Sequence, residues 1–468
     1  MPERALSAEP LQFALSRAAV TRIVDVDTVA IARLPSTIAI LAQGRRPIIV
    51  ADSLTMAAAG ERALAALTAA GIEAEAPVVL DAAPRVKPRA ELAAALAERL
   101  KEKAYLPLAV GSGVISDLTK FASHVAGTPY VSVATAASMD GYAASGAALL
   151  DNGFKRTLAC APPLAVVADL DVIARAPSRM AGWGYGDLAG KLVAGLDWVL
   201  ADALGEDAIA REPFALVQDH LASWLAGYER IAHHDREALR ELVIGLLVSG
   251  FAMQAHGNSR PASGSDHQFA HVWEMEGLAV DGEPAAHGAC VGLGAVAMLA
   301  MYEWFLRQDV AARTIEQQQA PVPDDSTIDA ELTTSFADVA VRQNARGEMA
   351  AKRAALARRP LRLSRLRERW PSLRARLSAA VMPAAELQRR LAACGAASHP
   401  ADLGMTLEDL ARDYRRARLI RRRYTLLDCL DDLGWLDGAI GALFAPDGFW
   451  SRDLRRSAGV EARMARAS

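Results

Sequence analysis

An α/β domain built on a parallel sheet, followed by an all-helical domain, is the fold class this sequence predicts. Three observations predict it. Short apolar runs alternate with helical patterns between about residues 21 and 173, strand signals stop after Pro177, and apolar or amphipathic helices fill the chain beyond that proline. The length of 468 residues also exceeds what one ordinary core holds, so two domains are expected, 1–176 and 177–468.

Residues 47–52 (PIIVAD) read as a buried strand ending on an acid, and an alanine-rich helix carries the chain through 69 to the strand 76–80. A helix over 89–101 leads to the strand 106–110, which runs straight into Gly111-Ser112-Gly113 and a further helix to 125. Runs at 129–134 and 165–168 complete the strands. Strands alternating with helices indicate a Rossmann-like parallel sheet. Asp151-Asn152-Gly153 interrupts the rhythm with hairpin-turn chemistry between two short extended runs. After Pro177, residues 181–204, 236–257, 265–278 and 288–307 read as helices. Residues 317–325 are polar and proline-containing, a loop, and 345–377 are dense in arginine with leucine and alanine at helical spacing. That stretch is either an anion-binding arm or a helix face whose arginines pair with acids elsewhere. The balanced charge of the chain and the scarcity of aromatics there favour the second.

The formal net charge is −3, which points to neither nucleic acid nor a membrane surface as partner. Four scattered cysteines (Cys160, Cys290, Cys394, Cys429) form no CxxC pair, so a reducing, cytoplasmic setting is expected rather than a disulfide framework. The N-terminal stretch carries charges early and lacks a long apolar segment with a cleavage site, and no run approaches the roughly 18 apolar residues of a membrane span.

Gly111-Ser112-Gly113-Val114-Ile115-Ser116-Asp117 follows a strand and opens a helix. Glycine there lets backbone approach a pyrophosphate, whose charge a helix N-terminus favours. The spacing falls short of the full GxGxxG, so a plain strand-to-helix turn is an equal reading. Asp52 ends an earlier strand, where an acid binds ribose hydroxyls and favours NAD(H) over NADP(H); its other reading is an N-cap. Thr135-Ala136-Ala137-Ser138-Met139-Asp140 follows the next strand. Thr135 and Ser138 are candidates for the nicotinamide side and Asp140 for a substrate hydroxyl, or the segment is a capped loop.

His267 and His271 lie four residues apart on one helical face, His287 comes about one helix and one loop later, and Asp187 precedes them on another apolar helix. Imidazole and carboxylate are the usual ligands of a divalent cation such as zinc. Spacing alone offers His267 and His271 as a ligand pair.

In order, GSGVISD, TAASMDGY, GYGDLAGKLVAGLDW, NSRPASGSDHQFAH and HGACVG make the chain from about Val24 to Tyr302 resemble the sn-glycerol-1-phosphate dehydrogenases. That family belongs to the superfamily of iron-containing alcohol dehydrogenases, glycerol dehydrogenases and dehydroquinate synthases. The resemblance implies a dehydroquinate synthase-like fold with its site in the cleft between the domains. It implies Asp187, His267 and His287 as metal ligands, His271 and Asp140 as substrate contacts, and Gly113–Asp117 with Thr135–Ser138 as dinucleotide contacts. A serine usual four residues after the aspartate is Ala144 here, with Ser145 beside it, and Ser112 replaces a common glycine.

The reaction so implied is reversible hydride transfer between NAD(P)H and the C2 carbonyl of dihydroxyacetone phosphate, assisted by one zinc or nickel ion, in a homodimer. His271 is then the proton carrier, its ordinary pKa of about 6.5 suiting neutrality. Arg260 and Lys191 are candidates for the phosphate, or ordinary surface groups. Competing readings are a glycerol dehydrogenase acting on unphosphorylated polyol, a dehydroquinate-synthase-like cyclase, and a non-catalytic nucleotide-binding scaffold. The cyclase needs more lysine and arginine around its substrate than the sequence shows near the ligands.

Overall fold

The computed structural model describes residues 3–82, 86–151, 154–317 and 324–451. Six parallel strands form the N-terminal sheet in the order β1-β8-β5-β4-β2-β3. They are β1 (Ile23–Asp27), β2 (Arg46–Asp52), β3 (Glu75–Leu80), β4 (Tyr105–Gly111), β5 (Val131–Ala134) and β8 (Ala165–Asp169). β4, β5 and β8 are buried at every residue, as a sheet covered on both faces requires. Between β5 and β8, β6 (Ala147–Asp151) and β7 (Phe154–Leu158) pair antiparallel as the expected hairpin. The turn residues Asn152 and Gly153 lie outside the described residues.

From β2 the chain steps outward to β3, then returns to lay β4, β5 and β8 on the other side. Such a reversal opens a crevice beyond the carboxyl ends of the strands, where open α/β sheets bind ligands. The glycine-containing turn after β4 sits at this point. β1 is the strand the sequence reading missed: it is short, half-buried and carries Asp25 and Asp27, so it shows no apolar run.

From Ser178 onward the described chain is helical apart from a two-residue hairpin, Ala279–Val280 with Glu283–Pro284. The helices Ser178–Leu204, Arg236–His256, Ser265–Met275 and His287–Phe305 form a single core that also takes in Leu11 and Ala14 of the N-terminal helix. Two of them, Arg236–His256 and His287–Phe305, are long and apolar enough to span a membrane by length and composition, which corrects the expectation of no such run. Both are mostly buried in this core.

The arginine-rich stretch forms two helices, Val339–Leu356 and Arg359–Ala380. Arg362 grips Asp432 through two bonds of 2.7 and 3.0 Å, and Arg358 pairs with Glu206. Arg365 and Arg369 donate to the carbonyls of Leu204 and Ala203, the orphan acceptors at the end of Ser178–Leu204. These arginines fasten one helix to another, as pairing with acids elsewhere requires. The expected loop at 317–325 falls largely outside the described residues.

Candidate functional site

Three helices converge at the floor of a cleft of about 1100 Å³ that the α/β sheet edge and the helical part wall together. Glycines permit the approach. A Cβ on Gly190 would lie 2.4 Å from Asp266 Oδ2, and one on Gly186 would lie 2.2 Å from the Gly288 carbonyl oxygen. Only residues without a side chain let Ser178–Leu204 come this near the two histidine-bearing helices. As a result, one ligand atom each from Asp187, His267 and His287 lies within 4.8 Å of the others.

The surroundings fix how these atoms point. His267 Nδ1 is 2.5 Å from Asp266 Oδ2 and His287 Nδ1 is 2.8 Å from Glu274 Oε1. A carboxylate on one ring nitrogen turns the other nitrogen of each ring toward the triad, the arrangement in which histidine ordinarily binds metal. His267 Nε2 is 3.8 Å from Asp187 Oδ1. Burial, and then the Lys191 charge, push the His267 imidazole well below its ordinary pKa, so it is a neutral donor at neutral pH. Burial alone would raise the Asp187 carboxyl, but Lys191 and the two imidazoles hold it down at about 2. Two imidazoles and one carboxylate, each backed by a partner, fit a divalent cation.

His271 completes the group without joining the triad. Its ring centroid is 6.3 Å from that of His267 and 6.2 Å from that of His287. Burial, and after it the Arg421 charge, lower its pKa well below the ordinary value. This departs from the expectation of an unperturbed imidazole: at neutral pH His271 is uncharged.

Lys191 is not a free cation for phosphate. Fully buried, its Nζ bridges Asp187 Oδ1 at 2.6 Å and Asp140 Oδ2 at 2.9 Å. Arg260 is equally committed, donating to the Asp197 carbonyl at 3.0 Å, with its Nε 3.0 Å from Asp207. Both were sequence candidates, and both are spent inside the protein. Asp140 faces the cleft, and its backbone N–H also donates to Asp187 Oδ2 at 2.9 Å. Lys191 thus ties a substrate-side acid to a triad acid.

The expected dinucleotide residues divide in two. Ser112, Gly113, Val114, Asp117 and Ser138 line the cleft. Gly111 instead faces Ile115, and Ile115, Ser116, Thr135, Ala136 and Ala137 are buried beneath it. Asp117 accepts from the Ala148 backbone at 3.2 Å and so braces the β6–β7 hairpin. Asp52 accepts from Thr55 N at 2.7 Å, the N-cap reading, and is not part of the cleft wall. Ala144 and Ser145 both reach the wall.

Sequence reasoning passed over four contributors: Asp266, Glu274, and the pair Arg421 and Arg423. Asp266 adjoins His267, and Glu274 lies three residues beyond His271 on the same helical face, so both were findable as partners of imidazole. Arg421-Arg422-Arg423 lines the cleft from the far end of the chain, which overturns the impression that the site is poor in basic groups.

A model of the iron-containing alcohol dehydrogenases matches residues 25–177. The chain is 30% identical to a glycerol-1-phosphate dehydrogenase of Halalkalibacterium halodurans over 82% of this chain and 86% of that protein. A second such dehydrogenase, from Bacillus velezensis, is 32% identical over 64% of this chain and 79% of its own length. The structure of a glycerol dehydrogenase from Schizosaccharomyces pombe superposes with a TM-score of 0.58 over 90% of each chain, at 15% identity, a likeness of fold. Fold and site together define a metal- and nucleotide-dependent oxidoreductase of the iron-containing alcohol dehydrogenase class. Within that class, the chain belongs to the glycerol-1-phosphate dehydrogenase family.

Proposed function

We propose that this chain reduces the C2 carbonyl of dihydroxyacetone phosphate to sn-glycerol 1-phosphate, reversibly, with NAD(P)H. The single observation that carries the reading is the triad of Asp187, His267 and His287, whose two histidines line the cleft together with His271 and the turn after β4 while Asp187 is wholly buried beside them. Asp187, His267 and His287 are the residues that would hold a divalent ion, zinc or nickel by the borderline character of the donors. When bound, such an ion would supply Lewis acidity toward a carbonyl oxygen and the nicotinamide would supply the hydride.

The chain's own residues do the rest. Ser112, Gly113 and Val114 offer backbone at a helix N-terminus to a diphosphate, and Ser138 approaches from the next strand. Asp140, ion-paired with the Lys191 ammonium, accepts a hydrogen bond from a substrate hydroxyl. His271, uncharged and beside the triad, accepts the proton of the C2 hydroxyl in the oxidative direction and returns it in the reductive one. A cytoplasmic homodimer is part of this reading, supported for the compartment by four buried cysteines that form no disulfide.

His267→Ala is expected to abolish metal retention and turnover together, measured by elemental analysis and by nicotinamide oxidation on one preparation. Turnover retained in metal-depleted buffer overturns the assignment.

A further inference from the structure

The segment after the helix Leu407–Leu419 carries three consecutive arginines with two different fates. Arg422 is exposed and binds Glu348 at the edge of the cleft, through Nη2 at 2.8 Å and Nε at 3.1 Å. Arg421 and Arg423 turn the other way, half-buried, into the wall of the cleft that holds the histidines. Alternation of this kind is what an extended tripeptide imposes on its side chains.

On the cleft side both guanidiniums converge on one short loop. Arg421 donates from Nη1 to Ser263 Oγ at 2.8 Å and from Nη2 to Ser259 Oγ at 2.9 Å. Arg423 donates from Nη2 to Ser259 Oγ at 3.2 Å and from Nη1 to the Ser263 carbonyl. Among the described residues, no carboxylate pairs with either one within 4.0 Å. Other buried arginines of this part are matched to acids: Arg362 to Asp432, Arg416 to Asp413, Arg418 to Asp431. Two like charges side by side, partly withdrawn from water and lacking a counter-ion, are costly unless an anion joins them.

The segment is held firmly. Thr425 caps the next helix with Asp428, and the Leu426 N–H donates to Asp197 Oδ1 at 3.0 Å. The same Asp197 binds the Ser265 N–H and hydroxyl through Oδ2, both at 2.7 Å. One buried carboxylate therefore locks the arginine segment to the start of the helix bearing His267 and His271. Arg421 is near enough to His271 for its charge to lower that imidazole's pKa, whereas Ser112, Gly113 and Val114 line the cleft from the sheet.

We infer that Arg421 and Arg423, with the hydroxyls of Ser259 and Ser263, form the pocket for the phosphate monoester of the substrate. This rests on the reading of the chain as a reductase of a phosphorylated ketone. Planar guanidiniums grip phosphate oxygens bidentately, and the two serine hydroxyls add donors once their protons rotate toward the anion. The pocket makes the phosphate a condition of productive binding: an unphosphorylated ketone leaves both arginines without an anion.

The test compares kcat/KM for dihydroxyacetone phosphate and for dihydroxyacetone in the metal-loaded enzyme and in Arg421→Ala, Arg423→Ala, Arg421→Lys and Arg369→Ala, the last an arginine outside the cleft. Inorganic phosphate serves as competitor. The ratio of phosphorylated to unphosphorylated kcat/KM is expected to fall on the order of 100-fold in each alanine variant at 421 or 423, from loss of two charge-assisted hydrogen bonds. Arg421→Lys keeps the charge without the fork and is expected to lose about 10-fold, while Arg369→Ala keeps the wild-type ratio. Phosphate is expected to compete in the wild type and to weaken in the same order. An unchanged ratio in Arg421→Ala and Arg423→Ala, with wild-type turnover of the phosphorylated ketone, overturns the pocket and leaves the reaction standing. No wild-type turnover of the phosphorylated ketone removes both. A fall confined to NADPH-driven rates assigns the arginines to the dinucleotide instead and likewise overturns the pocket.

Discussion

Replacing Lys191 with methionine removes a buried cation shared by the buried Asp187 and the half-buried Asp140. Its Nζ lies 2.6 Å from Asp187 and 2.9 Å from Asp140, and the lysine and Asp187 are wholly shielded from solvent. Breaking a buried pair by deleting one partner costs on the order of 3–5 kcal/mol, because the survivor keeps its charge without compensation. Here two survivors remain, so the upper part of that range is expected for the metal-free protein. A divalent cation held by Asp187, His267 and His287 restores a counter-charge to Asp187 and leaves only Asp140 uncompensated, which brings the loss to roughly half. The assay is urea unfolding of wild type and Lys191→Met, each with chelator and with added zinc or nickel. The sign of the pH dependence comes from Asp187. Its folded pKa is depressed to about 2, so the stability it contributes is present above the unfolded value near 3.8 and lost as pH falls through 2. The gap between the two chelated proteins is therefore widest near neutrality and closes in acid. A gap below about 1 kcal/mol at neutral pH, or one that metal leaves unchanged, refutes the reasoning.

Glu274→Gln weakens the carboxylate that orients His287, and metal affinity measured by competition with a chromophoric chelator should fall about 10- to 100-fold with the fold intact by circular dichroism. Gly190→Ala drives a methyl to within 2.4 Å of Asp266 Oδ2 and 2.5 Å of Val291 Cγ1. A loss of about 1–3 kcal/mol in stability, together with weaker metal retention, is expected by denaturation and elemental analysis. The cysteines should resist thiol reagents in the native state, since all four are buried and burial pushes Cys160 up to about 11 and Cys394 up to about 12. Labelling at pH 8 should be slow, quicken as pH rises toward those values, and reach all four thiols only on unfolding.

The sheet was readable because β2, β4, β5 and β8 are apolar runs ended by turn residues, the pattern that burial on both faces demands. β1 escaped because Asp25 and Asp27 alternate along a half-buried edge strand. Four long helices after Pro177 were readable to within a few residues for the same reason as the strands, their apolar content being long and uninterrupted, whereas the short helices among them and those at Ala384–Ala393, Leu407–Leu419 and Leu436–Phe444 were not. Asp187 and the three histidines were visible as residue types in a suggestive order. Spacing alone, however, would pair His267 with His271, since a single helix cannot reveal that His287 folds back to within 5.3 Å of the His267 ring.

Side chains gathered from distant parts of the chain were the least legible. Lys191 and Arg260 looked like cations awaiting a phosphate, and only the fold shows Asp140, Asp187 and the Asp197 carbonyl already beside them. Arg421 and Arg423 stand about 160 positions from the serines they touch. Nothing in a linear pattern separates them from the arginines that merely fasten helices. Their distinction is the missing acid partner, a property of three-dimensional surroundings.

The most direct test of the central claim is nicotinamide oxidation with dihydroxyacetone phosphate against dihydroxyacetone, before and after chelation, with zinc or nickel then restored. The account predicts turnover that favours the phosphorylated ketone, vanishes with chelation and returns with the metal. Equal or better turnover of the unphosphorylated ketone, or activity indifferent to chelation, contradicts it.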